Sequence, residues 1–543
     1  MLSKQHQKIL KHVFNDIYKS DNYKNDSYIR EIINLINKYN KKNRKKIKLN
    51  VSESTSLIIC YGNSVTDGKN KSLKVFNKFF TKYLKTSFSA IHFLPFYPSS
   101  SDSGFAVKDH YKIDPRLGSW SDVKKISRSS SIMADLVINH ASSRGLWFAN
   151  FLKNKSPGKG YFFTVDRKFD TKKVIRPREH TLLKKIKLFD KDRYLWRTFS
   201  DDQIDLNFQN PKVLMRMIKI IFNLINHGVK IFRLDAIAYI WKENGTKCIN
   251  HNNTHKIIKL IRHICNFLNT ECIIITETNL PEKENISYFG KNDEANWIYN
   301  FSLAPLLIYS FLFEDSKSLT KWSHNLPTTK KNNNYLNFIA SHDGIGMRPI
   351  EGILDSINQK KFLKVLKKNG GEFSYRKIQG KGKRVYEANI TLFNAFKKTD
   401  YDKQGKYSLQ RYMSAHCIMM SFEGIPAIYF NSMFGNSNDY SKFIISGNKR
   451  DLNRYRWNKV KLENHLSDRS SKQRIYFKYM TEILNIRRKQ MAFHPNASRK
   501  TLNLGSNFFG IKRTSLNGKQ KIYCITNITS SNKSIILKKE INN

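Results

Sequence analysis

Eight short apolar segments punctuate the chain, most of them separated by stretches long enough for a helix. They read "SLIICYG" (56–62), "AIHFLPFYP" (90–98), "IMADLVINH" (132–140), "VKIFRLD" (229–235), "CIIITETN" (272–279), "WIYNFS" (297–302), "LNFIASHD" (336–343) and "GIPAIYF" (424–430). Near-continuous apolar runs of this length predict strands buried on both faces, as in a parallel sheet. One intervening helix is well marked: "NPKVLMRMIKIIFNLINHG" offers Asn210 as N-cap, Pro211 at the first helical position and Gly228 just past the end. Repeated strand–helix units imply right-handed crossovers, and eight of them predict a (β/α)8 TIM barrel with its chemistry at the C-terminal strand ends.

Three stretches fall outside that repeat. Residues 1–50 form a helical extension, in which Ile9, Val13 and Ile17, then Ile32, Leu35 and Ile36, recur at helical spacing. The basic run "KKNRKKIK" (41–48) links it to the barrel, expected over 51–490. The gap between the third and fourth strands is too long for one helix, so an inserted subdomain is expected at about 141–205. A small β domain over 491–543 closes the chain. Its "NFFGIKRTSLNGKQKIYCITNIT" predicts a hairpin around Asn517-Gly518, a type I′ turn signal.

Composition narrows the class. The 543 residues carry 96 Lys+Arg against 43 Asp+Glu, a formal net charge of +53. The lysines are diffuse and no RNA-binding or zinc-finger motif accompanies them, so no specific nucleic-acid partner is expected. The six cysteines include no CxxC pair, which favours reduced thiols. The N-terminus "MLSKQHQKILKHVF" has no apolar signal core, and "LAPLLIYSFLF" (303–313) is well short of the ~20 residues a membrane helix needs. A cytoplasmic protein without a membrane partner is the expectation.

Polar residues collect at the strand ends. The third segment ends in Asp135, Asn139 and His140, the fourth in Arg233 and Asp235, the fifth in Glu277, the seventh in His342 and Asp343. Residues i and i+2 of a strand share a face, so Arg233 and Asp235 project together. A buried charge needs a partner or a function. Converging carboxylates with Arg and His suit acid/base and nucleophilic work on a glycosidic bond. Asp135 and Asn139 read as braces of the strand ends, and Lys242 and Glu243 as supporting or surface residues. Cys248, His251 and His255 in "CINHNNTH" have metal-like spacing, but a fourth ligand is missing and no metal is assigned.

The same segments carry a resemblance. "DLVINH", "FRLDAIAY", "ITETN" and "ASHDG" resemble the four signature regions of the α-amylase superfamily, glycoside hydrolase family 13. "LPFYPSSSDSGFAVKDHYKIDPRLGSW", "QIDLNFQNP", "WKENGTKCIN", "ENISYFGKNDEANWIYNFSLAPLL" and "RDLNRYRW" resemble its sucrose phosphorylase branch, over roughly 55 to 490. The resemblance implies Asp235 as nucleophile, Glu277 as acid/base and Asp343 as stabiliser of the transition state, with Arg233 holding Asp235 ionised. It places Asp102 and Arg454 on the far hydroxyls of one glucose, Phe105 as an aromatic platform, and His140 and His342 as donors to the ring. Tyr239 faces the acceptor or phosphate.

The activity that this resemblance implies is that of a retaining α-glucoside phosphorylase. Such an enzyme needs no cofactor and moves a glucosyl unit from a small sugar substrate to inorganic phosphate. "AIAYIWKE", with Trp241, is nearer to members acting on glucosylglycerate than to those acting on sucrose. The basic stretch 368–389 and an arginine of the inserted subdomain are candidates to hold phosphate. A hydrolase or transglucosylase with the same triad is the alternative, and a basic binding protein without activity a distant one.

Overall fold

The computed structural model describes every residue except 20–21, 331, 379–381 and 537–543. Eight parallel strands close into a barrel. In chain order they are β1 (Leu57–Cys60), β2 (Ala90–Phe93), β3 (Ser131–Val137), β4 (Val229–Asp235), β5 (Ile273–Thr276), β6 (Trp297–Tyr299), β7 (Asn334–Asn337) and β8 (Ile425–Tyr429). β1 pairs with β8 to close the ring, and β4 lies between β3 and β5. Almost every residue of these strands is buried, which is why the sequence shows runs rather than alternation. Each fully buried Leu or Ile contributes roughly 1.5–3 kcal/mol relative to exposure.

Strand seven departs from expectation. The apolar run pointed to 336–343, whereas β7 spans Asn334–Asn337 and His342 and Asp343 lie in the loop beyond it. The polar C-terminal end of β7 is satisfied locally: Asn300 Nδ2 donates to Asn337 Oδ1 at 3.0 Å, and Asn337 Nδ2 to the Glu423 carbonyl at 2.8 Å. Phe338 and Ile339 instead form pocket wall.

The N-terminal helices α1 (Lys4–Ile17) and α2 (Asn22–Lys42) lie against the barrel's outer helices α3 (Pro211–Asn226) and α4 (Asn252–Asn266). Asp16 pairs with Lys256 at 2.8 Å, His6 stacks on Phe267, and Tyr18 Oη donates to the Phe208 carbonyl at 2.9 Å. α3 begins as its sequence indicates, with the Asn210 side chain accepting from the Lys212 N–H. It ends before Gly228, whose φ of +91° and contact with Ser127 leave no room for a Cβ.

Between β3 and β4 the chain makes two small antiparallel sheets. His140–Ser142 pairs with Gln203–Asp205, while Thr164–Val165 and Leu183–Leu188 flank Lys191–Trp196. The C-terminal sheet has three antiparallel strands, Ser498–Leu502, Phe508–Thr514 and Lys521–Asn527. Its hairpin is not the two-residue turn that Asn517-Gly518 suggested. The last paired residues are Thr514 and Lys521, and only Gly518 of the two has positive φ. A type I′ turn needs positive φ at both. No helix among the described residues is long and apolar enough to cross a membrane.

Candidate active site

The pocket opens at the C-terminal ends of the barrel strands. Eight of the ten expected residues line it: Asp102, Phe105, His140 and Arg233, then Asp235, Glu277, His342 and Asp343. Tyr239 and Arg454 stand behind its wall.

β4 sets the centre. Arg233 lies in register with Asp135 on β3, and its Nη1 bonds both Asp135 Oδ1 and Asp235 Oδ1, the latter at 2.5 Å. His92 Nε2 meets the other oxygen of Asp135 at 2.9 Å. Asp135 is therefore the buried counter-ion of Arg233, as its bracing role required. Burial pushes its carboxyl up, but Arg233 and His92 outweigh this and hold it below the usual range. Just past Asp235, Ala236 takes a left-handed φ of +52°, and its N–H donates to Glu277 Oε2 at 2.9 Å. This turn ties the loop after the nucleophile candidate to the acid/base candidate.

The charge on Asp235 differs from the simple expectation. Burial raises its pKa, Arg233 lowers it, and Glu277 and Asp135 raise it again, so the balance is upward. Burial also raises Glu277 against the pull of Arg233. The two titrate as a pair. Arg233 touches Asp235 directly but reaches Glu277 only at 3.9 Å, which favours the proton on Glu277 and the anion on Asp235.

Asp343 is set differently. Burial pushes it up, yet Arg450, His342, Arg454 and Arg233 together hold it well below the usual carboxylate range. Arg450 Nη1 lies 2.7 Å from Asp343 Oδ1, and its Nη2 lies 3.0 Å from Glu387 Oε2. Glu387 also accepts from the Gly344 N–H; a Cβ on Gly344 would sit 2.5 Å from the Ala388 carbonyl, so only glycine fits. His342 stacks flat on Phe105 with centroids 5.1 Å apart, and burial lowers it to about 3. Burial likewise lowers His140 to about 4; its Nε2 contacts the Phe105 carbonyl at 3.1 Å and Gln203 at 3.0 Å. Both imidazoles are thus neutral hydrogen-bonding groups at pH 7. Arg454 spans Asp102 (3.5 Å) and the His342 carbonyl (3.0 Å), closing the far end from behind.

On the other side of Glu277 the groups are aromatic and basic. Phe199 packs edge-on against Tyr239 at 5.3 Å, and the Arg178 guanidinium lies 5.0 Å over Tyr386. Both Arg178 and Tyr386 line the pocket. Within the stretch 368–389, Glu372–Ile378 pairs antiparallel with Gly382–Asn389; Lys383 pairs with Glu179 and Arg376 with Glu351, and none of the described basic residues lines the pocket. This hairpin gives the pocket Tyr386 and Glu387 instead.

The supporting residues resolve clearly. Lys242 is buried, 2.7 Å from Asp205 and 3.1 Å from Asn139 Oδ1, so it is no surface residue. Trp241, buried, lies 6.4 Å from Tyr18 of the N-terminal extension. His251 pairs with Glu243 and His255 with Glu294, each with its own partner. Arg450, Glu387, Arg178 and Gln203 were not singled out from the sequence. Arg450 opens the quoted "RDLNRYRW" four residues before Arg454, the one local signal that marked it.

Residues 79–361 match the family model described as the α-amylase catalytic domain. The chain is 36% identical over 479 residues to a glucosylglycerate phosphorylase of Allomeiothermus silvanus, covering 88% of this chain and 86% of that one. It is 35% identical over 485 residues to a glucosylglycerate phosphorylase of Escherichia coli, covering 89% and 86%. Among solved structures, sucrose 6F-phosphate phosphorylase from Thermoanaerobacter thermosaccharolyticum superposes with a TM-score of 0.75 at 22% identity, covering 89% of this chain and 95% of that one; this is a likeness of fold.

Proposed function

The chain belongs to the α-amylase family, and from that premise we propose that it is a retaining phosphorylase that transfers glucose from glucosylglycerate to inorganic phosphate. The observation that carries the reading is the division of the pocket. One end is closed by Asp102, Arg454, Asp343 and Arg450, and the other is open, aromatic and basic. A closed end fits one sugar ring, and the similarity to glucosylglycerate phosphorylases supports glucosylglycerate as the donor.

Asp235 attacks the anomeric carbon while Glu277 passes its proton to the glycosidic oxygen, so that bond breaks and glycerate leaves. The glucosyl–Asp235 ester carries inverted configuration. A phosphate oxygen then attacks the same carbon and Asp235 departs, restoring the α configuration. Glu277 takes up the proton that the phosphate sheds. Asp343, fully ionised between Arg450 and Arg454, faces the positive charge that develops on the ring. Arg178 over Tyr386 meets the incoming phosphate.

Incubating the protein with glucosylglycerate, or sucrose as second donor, and millimolar phosphate tests this. Proton NMR of the fresh product is expected to show α-glucose 1-phosphate in excess over free glucose. Free glucose dominating at every phosphate level would replace the reading with a hydrolase.

A further inference from the structure

Arg348 is an anomaly for a buried arginine. It is 4% exposed, and neither its Nε nor its Nη1 has a hydrogen-bond partner. No carboxylate among the described residues pairs with it. A buried guanidinium without an anion costs several kcal/mol on an order-of-magnitude basis, so the missing partner must come from elsewhere.

Its place in the fold says which partner. Arg348 opens a short 3-10 turn (Arg348–Ile350) directly after Ile345 and Gly346, which line the pocket. The preceding Met347 N–H donates to the Tyr386 carbonyl at 3.0 Å. Tyr239 and Tyr386 each lie within the fields of Arg348, Arg178 and Glu277 together. These neighbours put Arg348 on the Glu277 side of the pocket, where the leaving group must be. Two further polar atoms there lack partners, Tyr239 Oη and Asn279 Oδ1, and Asn279 is in the pocket wall.

We propose that Arg348 is a specificity-determining residue that reads the carboxylate of the leaving group. On this account, which rests on the phosphorylase reading above, an α-glucoside whose aglycone is a small hydroxy acid supplies the anion the buried arginine lacks. Tyr239 and Asn279 meet its hydroxyls. A neutral aglycone leaves the guanidinium unpaired and is selected against.

The test compares wild type, Arg348→Gln and Arg348→Lys on glucosylglycerate, on its neutral analogue glucosylglycerol, and on α-glucosyl fluoride, all with phosphate. In Arg348→Gln, kcat/KM for glucosylglycerate is expected to fall on the order of 30-fold, the size of one charge-assisted hydrogen bond. Values for the other two donors, and the KM for phosphate measured with the fluoride, should stay within about threefold. Arg348→Lys should recover part of the loss. The melting temperature of wild type should rise with D-glycerate but not glycerol, and that rise should vanish in Arg348→Gln. The unliganded variant should melt no lower than wild type, because no protein partner is stranded. Equal losses on all donors, a lower melting temperature without ligand, or a rise confined to the phosphate KM would each overturn the assignment. Failure of wild type to phosphorolyse glucosylglycerate would overturn the function instead, and the D-glycerate shift would still judge Arg348.

Discussion

Glu277→Gln separates the two half-reactions. The glutamine keeps an oxygen to accept the Ala236 N–H, a 2.9 Å bond in the structure, so the side chain stays where it is and loses only its proton. The first step with glucosylglycerate needs that proton, because a glycerate alkoxide leaves poorly. Positioned acid catalysis contributes typically 10²–10⁴-fold, so kcat/KM should fall about 10³-fold, or ~4 kcal/mol of barrier. α-Glucosyl fluoride needs little protonation on leaving, and phosphate dianion already presents an ionised oxygen for the second step. With that donor the variant should lose less than about tenfold. The pH dependence follows the same logic. Burial raises the pKa of Glu277, so the wild-type rate on glucosylglycerate should persist above the ordinary glutamate range and decline as pH rises through the raised value. In Glu277→Gln with the fluoride, that alkaline limb should be gone. Steady-state assays of α-glucose 1-phosphate across pH measure both. Equal losses on the two donors would refute the proton-donor role.

Buried charge sets two more outcomes. Asp235→Asn should abolish turnover on every donor, the fluoride included, with unchanged circular dichroism, because Arg233 keeps its bond to Asp135; a folded variant with near wild-type rate would sink the nucleophile assignment. Lys242→Met strands Asp205, though Thr198 and Asn139 still donate to it. About 3 kcal/mol should be lost, the low end for a broken buried pair, which lowers the melting temperature by roughly 3 °C at the usual unfolding entropy per residue; an unchanged melting temperature in calorimetry would contradict this.

The barrel was legible because parallel strands buried on both faces leave short apolar runs, and here these recur at helix-length intervals. Strand seven was misplaced because its ends, Asn334 and Asn337, are polar, and Asn337 is satisfied from the neighbouring strands, a condition set by tertiary structure and invisible to a local pattern. The candidate triad could be picked out because each member follows or ends an apolar run. Arg450, Glu387 and Arg178 were not, since each reaches the pocket from a loop or hairpin remote in sequence, and an exposed-looking charge in a basic chain stands out from nothing around it. The basic stretch 368–389 misled for the same reason. Among its described residues Arg376 pairs with Glu351 and Lys383 with Glu179, and those that line the pocket are a tyrosine and a glutamate.

Pairing, more than charge, gives the pocket its direction. Arg233, Arg450 and Arg454 each hold carboxylates, at Asp135 and Asp235, at Asp343 and Glu387, and at Asp102. Ion pairs fixed in this way present a neutral ring with oriented donors and acceptors and ask it for no net charge. Arg178 and Arg348, beyond Glu277, have no carboxylate partner among the described residues. An incoming anion gains most where cations are unpaired and desolvated, so anionic chemistry belongs at that end and the sugar at the other. In the proposed reaction glycerate and phosphate are both anions, and both occupy the side of Glu277 that faces the leaving oxygen. A donor that leaves as an anion and an acceptor that arrives as one therefore set the same sign of charge against these arginines in both displacements.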